Sequence, residues 1–199
     1  MSSQKSLEML GQLKQDSYLH KHYDFQEVLG EGCFGKIIKA YSRDIEQHIA
    51  LKVEKFKKTK LKMVLKNEAN LLKQLQGKQG IPKIYNSGEW DHGTFLELEL
   101  LDHDLNRSHQ YSPTEIIDLA QEAIRILEGV HSVDIIHQDL KPHNFMRNKD
   151  GKLYLIDFGL AKQLVNKKGN PSMRGFVGTP RYASVRAHNM MDQGKKDDL

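Results

Sequence analysis

The spacing of hydrophobic and polar positions changes period along the chain. Tyr23-Asp24-Phe25-Gln26-Glu27-Val28-Leu29 alternates and predicts a strand. Further strands are predicted from Ile37 through Ala40 and at Ile49-Ala50-Leu51-Lys52-Val53. Residues 63–75 switch to helical spacing and stop at Gly77, a residue suited to ending a helix. Two strands follow, Ile84–Glu89 and Thr94–Leu100, around a turn at Asp91-His92-Gly93. From Ser112 to His131 the spacing is again helical. Ser112 is the expected N-cap, with Pro113 at the first helical position and Glu115 closing a capping box. Ile116, Ile117, Leu119, Ala120, Ile124, Leu127 and Val130 are its expected buried face. A short strand is predicted at Leu153–Ile156. Residues 1–22 are polar, with Leu7, Leu10 and Leu13 three apart. They read as a partly ordered leader able to form a short amphipathic helix. Strands first and helices second predict an α+β fold.

Composition narrows this picture. The 199 residues suffice for one good core or two small lobes, and the charged and hydrophobic fractions are those of a soluble globular protein. A formal net charge of +4 suits acidic or phosphorylated partners and is too small to argue for nucleic acid. Cys33 is the only cysteine, so no internal disulfide can form and a reducing compartment, cytosol or nucleus, is expected. Met1-Ser2-Ser3-Gln4 opens no apolar signal core, and no run of about 18 apolar residues is present, so no membrane partner is expected. The basic run Lys57–Lys62 reads as a solvated face.

The candidate chemistry lies at His137-Gln138-Asp139-Leu140-Lys141-Pro142-His143-Asn144 and Ile156-Asp157-Phe158-Gly159. A hydroxyl attacking a phosphoryl group needs a carboxylate to orient it and take its proton, and Asp139 sits where that base belongs. Lys141, two residues on, can reach the transferring phosphate. Asn144 and Asp157 offer oxygen ligands for Mg²⁺, which bridges the phosphates of ATP. Upstream, Gly30-Glu31-Gly32-Cys33-Phe34-Gly35 is followed by strand-like rather than helix-like spacing. A dinucleotide site would need a helix there, so a hairpin lid over ATP fits better. Leu29, Gly30, Glu31, Gly32, Cys33, Phe34, Gly35, Lys36 and Ile37 form that lid. Ala50 is small enough to roof adenine, Lys52 fits the lysine that holds the α- and β-phosphates, and Glu68 is its natural partner. Backbone groups from Glu99 to Leu101 would bond adenine.

These motifs, in this order, resemble the eukaryotic protein kinases over nearly all of residues 23–199. Gly178-Thr179-Pro180-Arg181-Tyr182-Ala183-Ser184, Lys141–Met146, Ile156–Lys162 and Gln76–Pro82 resemble the casein kinase 1 family within them. The resemblance implies a bilobal fold: an N-lobe over 23–98, a hinge over 99–104 and a partial C-lobe over 105–199. It implies ATP with Mg²⁺, Met146 among the nucleotide contacts, and Ser/Thr protein substrates carrying acidic or phosphorylated residues. Arg174 and Arg181 suit such substrates. A monomer is expected. Three positions depart from the family pattern. Gln138 replaces an arginine that often holds a phosphorylated activation loop, so no dependence on loop phosphorylation is expected, although Ser172 and Thr179 are present. His143 replaces an aspartate, and Pro180 a small residue. In the family an aspartate matching Asp198 opens a long central helix and holds the catalytic loop. The sequence ends at Leu199, so a C-lobe lacking its later helices is expected, with the apolar face of 118–130 short of its main partner. Two readings follow: an active Ser/Thr kinase, or a regulatory fragment that binds nucleotide and turns over little. A metabolic kinase is the weaker third, because Arg181-Tyr182-Ala183-Ser184 looks like a peptide-binding segment.

Overall fold

The computed structural model describes residues 10–32, 35–55, 64–105, 110–164 and 175–199. Leu7, Cys33, Phe34, the basic run 57–62, Ser172 and Arg174 lie outside the described residues. The chain divides into two compact units, one of Met1–Ala69 with Lys83–Leu100, the other of Asn70–Pro82 with Leu101–Leu199.

The first unit is a five-stranded antiparallel sheet. Its strands are β1 (Tyr23–Gly32), β2 (Gly35–Ser42), β3 (Gln47–Lys55), β4 (Ile84–Trp90) and β5 (Gly93–Glu99), in the order β1-β2-β3-β5-β4. Alternation along β2 is strict, every second residue being buried. The core on one face joins Ile38, Ala40, Ile49, Leu51, Val53, Trp90 and Phe95 with Tyr23, and also with Leu13 and Leu19. Those last two belong to the segment that the spacing of Leu7, Leu10 and Leu13 marks as able to form an amphipathic helix. Residues 10–15 and α1 (Ser17–His22) are helical, and Leu13 and Leu19 are fully buried. The missed cue is Asp16, which caps α1 by accepting the Leu19 N–H at 2.8 Å. Tyr23 donates its hydroxyl to Glu97 Oε2 at 2.9 Å. Burial, then the Glu97 charge, pushes that hydroxyl above its ordinary pKa range, so it stays a donor.

α2 (Val64–Leu75) ends before Gly77, which takes φ +82°. In the second unit, α3 (Pro113–His131) begins at the expected capping box: Ser112 Oγ accepts the Glu115 N–H, and Glu115 Oε2 accepts the Ser112 N–H at 2.7 Å. β6 (His103–Asp104), β8 (Phe145–Arg147) and β9 (Leu153–Leu155) form one small antiparallel sheet. β7 (Ile135–Ile136) and β10 (Lys162–Gln163) form another. Gly80, at φ +70°, faces Ile126 so closely that a Cβ would come within 2.4 Å. A short helix, α4, covers Val185–His188.

The buried face of α3 differs in part from expectation. Leu119, Leu127 and Val130 are buried, joined by Ile126, whereas Ile116, Ile117, Ala120 and Ile124 are exposed. At about 100° per residue the apolar residues cover a wider arc than this unit packs against, and Ile117 and Ile124 fall on its far edge. No helix among the described residues is long and apolar enough to cross a membrane.

Candidate active site

In the first unit, β1 and β2 pair with Gly30 opposite Ile37, Glu31 opposite Lys36 and Gly32 opposite Gly35. A strand therefore follows Gly35, as the hairpin reading requires and a dinucleotide turn would not allow. Gly35 is the glycine that packing demands. It adopts φ +143°, and a Cβ there would lie 2.2 Å from the Val53 carbonyl oxygen. A Cβ on Gly30 would meet nothing within 4 Å. The pairing shifts register between Val28 and Gly30, and Leu29 in that bulge is about half exposed. Lys36 is buried with its Nζ 3.5 Å from Glu31 Oε2.

Lys52 and Ala50 stand on β3, opposite Leu96 and Leu98 of β5. Lys52 Nζ donates to both Glu68 oxygens, at 2.8 and 2.7 Å, and both side chains are buried. The pair expected from sequence is thus formed, with β3 and α2 supplying one charge each. Glu99 closes β5: its N–H donates to the Lys83 carbonyl and its carboxylate accepts the Lys83 N–H at 3.1 Å.

In the second unit, Pro142–Asn144 form a tight 3₁₀ turn after Lys141. That turn points three side chains at one place. Lys141 Nζ donates to Asp139 Oδ2 at 2.6 Å, and Asn144 Nδ2 donates to the Asp139 carbonyl at 2.8 Å and to Oδ2 at 3.2 Å. Thr179, which the sequence reading gave no catalytic part, completes the group. Its hydroxyl donates to Asp139 Oδ1 at 2.6 Å and accepts from Lys141 Nζ at 2.9 Å. No periodicity could reveal a contact between residues 40 apart. The local cue was Gly178. It takes φ +113°, and a Cβ on it would press to 2.7 Å from the Gln138 carbonyl. Glycine there lets the Thr179 segment approach the loop.

The loop backbone is unusual and is held from elsewhere. Gln138 has φ +67°, and Asp157 sits in the left-handed region at φ 61°, ψ 67°. Asp198, buried, accepts the His137 N–H at 2.8 Å, the Gln138 N–H at 2.9 Å and His131 Nε2–H at 2.9 Å. His137 is fully buried. Its Nε2–H donates to the Ile156 carbonyl at 2.9 Å, which leaves Nδ1 to accept the Asp139 N–H at 3.3 Å. Burial pushes the His137 pKa down, outweighing the Ile156 bond and nearby carboxylates, so the imidazole is neutral. Phe158, fully buried, packs edge-on against the His137 ring at 4.9 Å. The Ile156 N–H bonds the Asn144 carbonyl at 2.8 Å, tying the Asp157 turn to the Asn144 turn.

Asn144 spends its amide N–H on Asp139, which leaves its carbonyl oxygen for a cation. Asp157, one residue beyond Ile156, adds a carboxylate. An oxygen pair of this kind fits Mg²⁺, which keeps several waters and takes its remaining ligands from phosphate. Leu101 is buried, while Met146 on β8 is half-buried. Arg181 is exposed, its guanidinium 5.8 Å from the Tyr182 ring.

Comparison with known proteins agrees with this arrangement. The protein kinase domain family matches residues 23–198. A Dictyostelium discoideum protein described as a probable serine/threonine-protein kinase is 35% identical over 86% of this chain and 37% of its own length. Casein kinase I homolog 2 of Saccharomyces cerevisiae is 31% identical over 89% of this chain and 35% of its own length. The chain thus spans about a third of the length of either relative. A match from the first strand to the buried Asp198, taking in the Lys52–Glu68 pair and the Asp139 loop, shows that the chain belongs to the protein kinase family and is casein kinase 1-like.

Proposed function

We propose that the protein is a serine/threonine protein kinase that transfers the γ-phosphate of ATP to protein hydroxyls, in the cytosol or nucleus. The observation that carries this reading is the Asp139 carboxylate held by Lys141, Asn144 and Thr179. Asp139 orients the attacking hydroxyl and takes its proton. Lys141 sits on Asp139 and supplies positive charge to the phosphoryl oxygens as they gather charge. Thr179 fixes the rotamers of both. Lys52, locked by Glu68, holds the α- and β-phosphates, and the β1–β2 hairpin covers them. Asn144 and Asp157 would hold Mg²⁺, whose chemistry is to neutralise charge on the ATP phosphates. Arg181, exposed beside the Thr179 turn, supports a preference for acidic or phosphorylated residues in the substrate.

The test is transfer of labelled phosphate from Mg-ATP to an acidic, pre-phosphorylated serine peptide, compared between the wild type and Asp139→Asn. Loss of a general base costs roughly 100- to 10,000-fold in rate, read well below the melting temperature of either protein. A variant as active as the wild type would sink the assignment of Asp139. A folded wild type that binds ATP without transferring phosphate would favour a regulatory role.

A further inference from the structure

β3 works on two faces. Ile49, Leu51 and Val53 are fully buried in one apolar cluster with Leu13 and Leu19. Ala50, Lys52 and Glu54 alternate to the other face. There Lys52 binds Glu68, and Glu54 Oε2 accepts the Leu65 N–H at 3.3 Å, both partners lying on α2. The strand that orients the ion pair is therefore backed by residues that precede the first strand.

That segment is fastened by more than apolar contact. Asp16, only 4% exposed, accepts the Leu19 N–H with Oδ1 at 2.8 Å and the Asp91 N–H with Oδ2 at 3.0 Å. One carboxylate thus starts α1 and ties it to the β4–β5 turn. Arg43, just past β2, donates from its backbone N–H to the His22 carbonyl and from Nη1 to the carbonyls of His20 and Lys21. Asn86 of β4 donates to the Tyr18 hydroxyl at 3.4 Å, and the Tyr18 ring lies 5.8 Å from Phe95.

We infer that residues 10–22, fastened by Asp16, are a positioning element for Lys52 and so set the affinity for ATP. The inference rests on reading Lys52 as the phosphate-holding lysine. Its physical basis is close packing. A dense core transmits displacement instead of absorbing it. If Leu13 and Leu19 withdraw, the cluster they share with Leu51 and Val53 loosens, and Lys52 between those two moves with the strand. Displacements near 1 Å in a phosphate site cost up to about 100-fold.

The experiment uses the full chain and Asp16→Asn. An asparagine carbonyl can still cap α1, but its amide cannot accept the Asp91 N–H, so the fastening fails while the helix start is kept. Equilibrium binding of ATP and the KM values for ATP and for peptide are measured well below the melting temperature. The control is Leu127→Ala, a core truncation in α3 of the second unit. Asp16→Asn is expected to weaken ATP binding and raise the ATP KM about tenfold, a change worth about 1.4 kcal/mol. The peptide KM and the control's ATP affinity stay at wild-type values. Asn86→Ala, a milder loosening, shifts ATP affinity the same way by less, and serves if Asp16→Asn does not fold. Unchanged ATP affinity in whichever of these variants folds would overturn the inference and leave the nucleotide reading of Lys52 standing. A folded wild type that does not bind ATP would overturn both.

Discussion

In the strand unit, Lys52 and Glu68 meet on a strand and a helix of ordinary geometry. In the helical unit, Asp139, Lys141 and Asn144 meet on backbone that is almost all irregular. The first arrangement needs only β alternation and one turn of helix. The second needs left-handed residues at Gln138 and Asp157, a 3₁₀ turn at Pro142, a glycine at Gly178, and a buried carboxylate, Asp198, holding two loop N–H groups. Regular structure places a charge cheaply but offers few directions. Irregular structure can aim several groups at one point, and its backbone must then be bonded by side chains from far along the chain.

The contrast makes opposite demands on mutation. Glu68→Ala would strand Lys52 in a buried site, at a cost of about 3–5 kcal/mol, read from urea denaturation. Replacing both partners, Lys52→Met with Glu68→Leu, should recover most of that stability while ATP binding stays lost, since neither charge of the pair is left buried without the other. A double variant as unstable as the single one would mean that the strand unit depends on the ion pair itself.

Asp198→Asn should show the other behaviour. It exchanges one acceptor oxygen for an amide, leaving the His137 or the Gln138 N–H unbonded at about 1.5–3 kcal/mol. Because those two residues precede Asp139, kcat should fall further than the KM for ATP rises. Equal changes in both would show that the loop holds its shape without Asp198.

The smallest effect concerns pH. Burial depresses the His137 pKa, so the unfolded chain binds more protons than the folded one below about pH 6.5. Stability from this group is therefore complete above that pH. It is lost as pH falls, by at most about 1.4 kcal/mol per unit. Denaturation midpoints at pH 7.5 and 5.5 should differ less in His137→Phe than in the wild type. An equal difference would assign the pH dependence to other groups.

Much of the fold was legible in local pattern. The five strands, the stop at Gly77 and the capping box at Ser112 lie where alternation, helical spacing and cap chemistry put them. Lys52, Glu68, Asp139 and Asn144 were legible because their order along the chain is distinctive. Leu13 and Leu19 were not, since two leucines in a polar stretch carry no sign of the sheet that covers them. Ile116, Ile117 and Ile124 misled for the converse reason: helical spacing shows which residues share a face, and only a neighbour decides how much of it is buried.

What the sequence determined by itself is the set of elements and the kinds of chemistry they carry, because both depend on residues a few positions apart. Tertiary structure alone decided that the segment before β1 backs the strand bearing Lys52. It decided that Thr179 joins Asp139 to Lys141, and that His131 shares Asp198 with the backbone of His137 and Gln138. These contacts join residues tens of positions apart, where no periodicity survives, and their geometry follows from how side chains fill the space between packed elements.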